Sequence, residues 1–325
     1  MGNNKVSEGI RKHFSFRGSN NNISLIAAFL AMCILFALLT PHFLTVENFV
    51  NIGTYSSIIA IMAFGLTVAM ILGGMDLSQY AIATASGMLI ALLNRAGMPI
   101  GISVALAVLM GVALGAINGT IVSFFGVNAI ITTLGTQQIF RGIAYIVSDG
   151  KNITLKNDFF SFLGRGNIVG IPVVMIFMVI VFAITWYVLK YTPFGRKVFA
   201  IGGNAYASYL SGINIKRIKM GAFIYSGITA ALGGILLSAQ IGVAMPTAGI
   251  GSEMDVIAAV ILGGVSLAGG NGKVSSTLLG ILILQTISNG LTLLSVQSYW
   301  QMVIKGSVLI LAVLLDVMRT KRAKA

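Results

Sequence analysis

The feature that most constrains this chain is a succession of apolar runs, each about as long as a lipid bilayer is thick. Ten such runs lie near 23–39, 53–72, 80–93, 100–125, 129–147, 171–189, 220–241, 256–270, 275–295 and 300–316. A helix of about 20 apolar residues crosses a hydrocarbon core, so the pattern predicts an all-α integral membrane protein of about ten transmembrane helices. The runs at 80–93 and 256–270 are short and rich in small residues, which predicts broken or tilted spans. Composition agrees: 57% of the 325 residues are hydrophobic and 9% charged, against about 25% charged in soluble domains. No polar stretch is long enough to bury a core of its own. The expectation is therefore one polytopic transmembrane domain over 23–318 between tails at 1–22 and 319–325. The first apolar run follows Lys5, Arg11, Lys12 and Arg17; without a small-residue cleavage site it reads as an uncleaved first span.

The side facing the cytoplasm is read from the cations. With both termini inside, fifteen lie in inside segments: Lys5, Arg11, Lys12, Arg17, Lys190, Arg196, Lys197, Lys216, Arg217, Lys219, Lys273, Arg319, Lys321, Arg322 and Lys324. Four lie outside: Arg95, Lys151, Lys156 and Arg165. This asymmetry predicts cytoplasmic termini, a cytoplasmic loop at 190–219 and an external loop at 148–170. It also assigns the net charge of +13 to contact with anionic lipid rather than nucleic acid. The external loop, "SDGKNITLKNDFFSFLGRGNIVG", is either a solvated connection or a surface for a soluble partner.

Several chemistries are excluded. Cys33 is the one cysteine, and His13 and His42 are the two histidines, so neither an internal disulfide nor a histidine metal site is expected. "AGGNGKVSS", Ala268–Ser276, superficially suggests a phosphate-binding loop. A Walker A loop requires G-x-x-x-x-G-K-[ST], whereas Leu267 occupies the first glycine position and Val274 follows Lys273. It is expected to be a tight turn, and the chain to hydrolyse no ATP itself.

Polar groups within apolar runs are costly and draw attention. In "ILGGMDLSQ", Asp76 follows a glycine pair and precedes Ser78. It either caps the next helix at a break, with Ser78 as a second acceptor, lines a solute path or couples transport to an ion. Thr133, Gln137 and Arg141 are four apart and share a helix face, which either lines a translocation cavity or fastens helices together. Glu253 and Asp255 are placed at the external mouth of the eighth run, where acids favour a helix N-terminus. Lys305 either snorkels or pairs with an acid. "AMILGGMDL", from Ala69, and "AVILGGVSL", from Ala259, echo one another, a weak sign of an internal repeat of the kind that surrounds substrate paths.

The basic loop contains a helix signature. Asn204 is a candidate N-cap, Ala205–Ser211 a two-turn body and Gly212 a C′ glycine. Tyr206, Tyr209, Leu210 and Ile213 follow the spacing of a single face. So short a helix needs a surface to pack on.

The ordered series "FGRKVFAIGGNAYASYLSGINIKRIK", "PTAGIGSEMDVIAAVILGGVSLAGGNGK" and "NGLTLLSVQSYWQMVIKGSVLILAV", with "GGMDLS" and "NAIITTLGTQQIFRGIAYIVSDGK", resembles the membrane permeases of bacterial ABC monosaccharide importers. The resembling group is of the ribose, arabinose, galactose and xylose type. The resemblance implies a multi-pass protein of the inner membrane, paired with a second copy or a homologous permease. It implies a cytoplasmic ATP-binding subunit, often a tandem fusion, which carries ATP and Mg; this chain binds no cofactor. A periplasmic or lipid-anchored protein would deliver sugar. The resemblance makes the short helix a coupling helix, with Gly202, Gly203, Asn204, Tyr206, Ser208, Tyr209, Leu210, Gly212 and Ile213 facing the ATPase, and it supplies no catalytic residues. An ion-coupled secondary transporter and a non-transporting membrane scaffold are the alternatives.

Overall fold

A computed structural model describes residues 20–324 of the chain, and among these the fold is a helical bundle. The N-terminal tail expected over 1–22, with its four cations, lies outside the described residues up to Ser19. The helices are α1 (Asn20–Leu39), α2 (Val46–Ile71), α3 (Gln79–Arg95), α4 (Ile100–Ser123), α5 (Ala129–Ser148), α6 (Asp158–Arg165), α7 (Val173–Tyr191), α8 (Pro193–Gly203), α9 (Ala205–Leu210), α10 (Ile215–Ile241), α11 (Glu253–Leu262), α12 (Val274–Leu293) and α13 (Ser298–Lys324). Every apolar run coincides with one of them. Five are long and apolar enough to cross a membrane: α2, α4, α7, α10 and α12.

Side-chain caps set many of the helix starts. Thr45 accepts a hydrogen bond from the Asn48 N–H at the head of α2. Asn128, Asn157, Asn204 and Asn214 do the same for α5, α6, α9 and α10. α2 is the central helix, with 83% of its apolar window buried. In α4 and α7 only 22% and 28% are buried, so these two present most of their surface outward. The main core gathers Ile61, Phe64 and Leu66 of α2 with Val256 and Val260 of α11 and Ile281 and Leu284 of α12. α4 lies against α10 along Gly111, Gly115 and Gly119, where a Cβ at Gly115 would stand 2.5 Å from the Phe223 carbonyl. Such small-residue seams let helix backbones approach closely in membranes.

Two ends of the bundle are distinguishable. At one, α8, α9 and the turns after α2 and α11 come together. At the other, β1 (Ile153–Thr154) pairs antiparallel with β4 (Val243–Ala244), which straps the 148–172 segment to the end of α10. Arg165 of α6 strengthens the strap by donating to the carbonyls of Gln240 and Ile241 at 2.8 and 2.5 Å. A second hairpin, β2 (Asn167–Ile168) with β3 (Ile171–Pro172), leads directly into α7.

Two departures from the sequence reading concern the breaks. The run expected to continue to residue 270 is helical only over Glu253–Leu262. The loop at 190–219 holds a second helix, α8, ahead of the anticipated one. Its signal is "TP": Thr192 accepts a hydrogen bond from Gly195 N–H, and Pro193 opens the first turn, the position where a missing N–H costs nothing.

Candidate functional site

α9 forms because both of its ends are satisfied. The Asn204 side chain accepts from the Ala207 N–H at 2.9 Å. At the other end Gly212, with φ of 76°, lets its own N–H reach the Tyr209 carbonyl and that of Ile213 reach Ser208, a Schellman closure. Tyr206, Tyr209 and Leu210 are 72%, 67% and 67% exposed, while Ser208 is buried. Ile213, expected on the same face, instead packs against the core. It lies beyond the left-handed glycine, where the chain has already reversed, so helical spacing no longer applies to it.

The root of this segment is a junction of glycines. α2 ends in a Schellman turn, Gly73 N–H to Met70 and Gly74 N–H to Ala69. α11 ends in the same way, Gly264 N–H to Ile261 and Val265 N–H to Val260. The echoed "ILGG" thus stops a helix twice at one end of the bundle. The left-handed residue is the first glycine of the pair at Gly73 and the second at Gly264, so the two turns are alike in role and offset by one in register. The turns meet: the Gly270 N–H donates to the Ile71 carbonyl at 2.8 Å. Gly202, at the end of α8, fills the angle between them. A Cβ there would collide with the Ile71 carbonyl oxygen and stand 2.6 Å from the Gly270 nitrogen. Next to it, Gly203 has open space around its Cβ position.

Beyond Gly74 the chain does not pass outside the bundle but turns back into it. Residues 74–78 are non-helical, and the Gln79 Nε2 reaches the Met62 carbonyl at 3.0 Å, roughly 13 Å back along α2 by helix rise. Irregular backbone at such depth must be enclosed by protein, and here it is. Asp76 is 1% exposed. Its Oδ1 accepts from the Ser78 N–H and hydroxyl at 3.0 and 2.6 Å, and its Oδ2 from the Ser226 hydroxyl at 2.7 Å. Asn118 Nδ2 donates to the Ser78 oxygen, and Gln79 Nε2 to the Ser226 oxygen. Each hydroxyl receives an amide proton and passes its own to the carboxylate. Ser78, expected as a second capping acceptor, makes no side-chain cap bond for α3 because its hydroxyl is committed to Asp76. The Asp76 carboxyl is thus held by neutral donors.

The stripe on α5 binds the first break and the entry to α11. Thr133 Oγ1 donates to the Met75 carbonyl at 3.1 Å, Gln137 Nε2 to Glu253 Oε1 at 2.9 Å, and Arg141 Nη1 to the Ala248 carbonyl at 3.1 Å. Thr84 of α3 also donates to Ala248. In this conformation the stripe fastens helices together. Glu253 and Asp255 open α11 in its first turn. That helix is only 10 residues long, about 15 Å, and both acids are half-buried, next to the exposed Ile250, Gly251 and Met254. Lys305 of α13 pairs with Asp255 at 2.8 Å, the acid-pairing option among its two.

Gln79, Asn118 and Ser226 escaped the sequence reading. Their signal is that each is a polar residue in or beside an otherwise apolar run. A cavity of about 270 Å³ opens next to the junction, lined by Leu72, Gly73, Gly74, Asn128, Lys219 and Phe223 among others. Among described residues no cluster of His, Cys, Asp or Glu is placed to hold a metal.

A helical membrane bundle with two internal breaks, each tied to one exposed short helix, has the architecture of a transport permease. The chain belongs to the family described as branched-chain amino acid transport system / permease component, whose model matches residues 48–313. It is similar to the ribose import permease protein of Haemophilus influenzae, with 42% identity over 296 residues covering 89% of this chain and 92% of that one. The D-allose transport system permease protein of Escherichia coli is 41% identical over 285 residues, 87% of each chain. The L-arabinose transport system permease protein of the same organism is 36% identical over 306 residues, 94% of this chain and 93% of the relative. No solved structure matches the chain.

Proposed function

We propose that this chain is the membrane permease of an ATP-driven monosaccharide importer of the bacterial inner membrane. It works as a pair with a second copy or a homologous permease. In this reading α1–α5, α7 and α10–α13 make ten crossings, and both termini face the cytoplasm, as the distribution of cations favours. A separate ATP-binding subunit, often a tandem fusion, binds ATP and Mg and docks on α9. An external sugar-binding protein delivers a pentose such as ribose, or a related hexose; the names of the similar proteins support the substrate class. The 270 Å³ cavity then opens to the cytoplasm beneath the first break and serves as the exit.

The observation that carries this reading is the connectivity of α9. Its exposed Tyr206, Tyr209 and Leu210 offer an apolar face to a soluble subunit. Its root at Gly202 touches the backbones of both breaks. Closure of the ATPases would pull on α9, and the pull would reach the first break at Ile71 and the second at Gly270 together. Binding energy at the docked face thus biases an equilibrium between outward- and inward-open bundles.

The test is to purify the complex, identify the co-purifying ATPase and binding protein, and measure ATP-dependent uptake over a monosaccharide panel. Tyr206→Asp with Leu210→Asp is expected to leave the permease in the membrane while the ATPase no longer co-purifies and uptake is lost. Normal co-purification and normal uptake by that variant would sink the docking assignment.

A further inference from the structure

The segment between α5 and α7 carries an apolar surface that the bundle does not use. Val169 is 97% exposed, Ile168 and Ile171 about half exposed, and α6 turns Phe159 and Phe162 outward while burying Phe160 and Leu163. The surface is continuous: the Phe162 ring packs on Gly166, where a side chain would collide with it, and the Val173 N–H donates to the Gly166 carbonyl. It is also held rigidly, through the β1–β4 pairing and the Arg165 bonds to the end of α10. The turn of the hairpin is Val169-Gly170, with φ of 52° and 81°. A two-residue turn of this hand favours Asn-Gly or Asp-Gly, and a β-branched residue at positive φ is strained. In water this position suits a polar residue on both counts.

α7 indicates what covers the surface. It begins immediately after the hairpin, and its Val179, Ile180 and Ile184 are exposed along an outward face. At its far end Trp186, Tyr187 and Tyr191 form an exposed aromatic group, with Lys190 over the Trp186 and Tyr191 rings. Such belts mark the level of the lipid headgroups. The helix has 19 residues, about 28 Å, close to the roughly 30 Å hydrocarbon thickness. Val173 is therefore at the opposite boundary, and the hairpin just beyond it is at headgroup depth.

We infer that the β2–β3 hairpin and the Phe159/Phe162 face of α6 are seated in the lipid interface of the leaflet opposite the aromatic belt. They act there as a fixed wedge that sets the depth of α7 and, through the strap, of α10. The partner is the bilayer itself rather than a protein, because the apolar tip continues the outward face of a spanning helix. The inference rests on α7 crossing the membrane and not on the sugar assignment.

Site-directed spin labelling of the full chain in phosphatidylcholine vesicles tests it. Cys33 is first replaced by alanine, and single cysteines are placed at 169 and, as an aqueous control on the same segment, at Lys151, whose side chain is 76% exposed. Power saturation with oxygen and a nickel chelate is expected to place the label at 169 about 5 Å inside the headgroup–acyl boundary and the label at 151 in water. A second label at Phe162→Cys should report similar burial, which covers the case where the hairpin variant fails to fold. Chelate access at 169 and 162 equal to that at 151 would overturn the inference. So would access that is lost only when a sugar-binding protein is added, since the surface would then belong to that protein.

Discussion

Replacing Gly202 with alanine puts a methyl group where the structure has the backbone of two other segments. The nearest atoms are the Ile71 carbonyl oxygen, the Gly270 nitrogen and the Ile71 carbonyl carbon, at 3.0 Å in the last case. None of them is the movable end of a side chain. Overpacking of this kind costs about 1–3 kcal/mol. Relief requires the Gly270 N–H to leave the Ile71 carbonyl, and a buried hydrogen bond left unmade costs about 1–3 kcal/mol more. The better helix propensity of alanine returns at most about 1 kcal/mol. The net, about 3 kcal/mol, is roughly a hundredfold change in the population of the conformation described here. The same substitution one residue later meets nothing, since Gly203 has open space at its Cβ position. The two variants therefore form a matched pair with identical chemistry and opposite surroundings. The assay is uptake and ATP hydrolysis by the reconstituted complex, normalised to the permease in the membrane. Gly202→Ala is expected to keep the ATPase bound, because the α9 face is unaltered, and to transport poorly for each ATP hydrolysed. Gly203→Ala should behave as wild type. If the two variants gave equal transport per ATP, the junction would not carry the motion and the reasoning would fail.

Three further outcomes follow from other contacts. Asp76→Asn should lower the melting temperature of the purified protein, by about 1–3 kcal/mol in stability, because one of its two hydroxyl neighbours would then face an N–H. If the network is structural, uptake per folded molecule stays near normal; loss of uptake with intact ATP turnover would instead favour ion coupling. Lys305→Met should destabilise by about 3 kcal/mol by leaving Asp255 unpaired, and Lys305→Met with Asp255→Asn should recover most of it; additive thermal shifts would show that the pair is not coupled. Arg165→Gln should loosen the strap, read as faster hydrogen exchange at Leu155, whose N–H bonds the Gly242 carbonyl, with little change in exchange at the α9 end.

Much of this was legible in the sequence, because in a bilayer the backbone must satisfy itself and helices announce themselves by length and apolarity. Each of the ten apolar runs contains a helix, though the run at 256–270 leaves helix after Leu262. The signals around α9 were equally local, with Asn204 and Gly212 each doing what its side chain, or lack of one, dictates. α8 went unread although "TP" carried its cap, because a basic, glycine-ended stretch reads as loop by composition. Ile213 shows where spacing rules stop, at the first left-handed residue. Partners were illegible for a different reason. Thr133, Gln137 and Arg141 visibly shared a face, but Met75, Glu253 and Ala248 reach that face only through tertiary packing. The same holds for Asp76, whose donors Ser226 and Asn118 come from distant helices.

The hydrogen bond from Gly270 to Ile71 also orders events in time. Helices enter the membrane as they are synthesised, so α2 is made long before its Ile71 carbonyl can meet that N–H. The first break stays incomplete at that end until the turn after α11 arrives, and the root of α8 stays unseated with it. A chain halted before residue 270 should therefore expose the 71–74 turn to proteolysis, whereas one extended past it should be protected. Completion of the nascent permease would then be registered at the surface where its ATPase is proposed to dock, which would keep half-made chains from recruiting one.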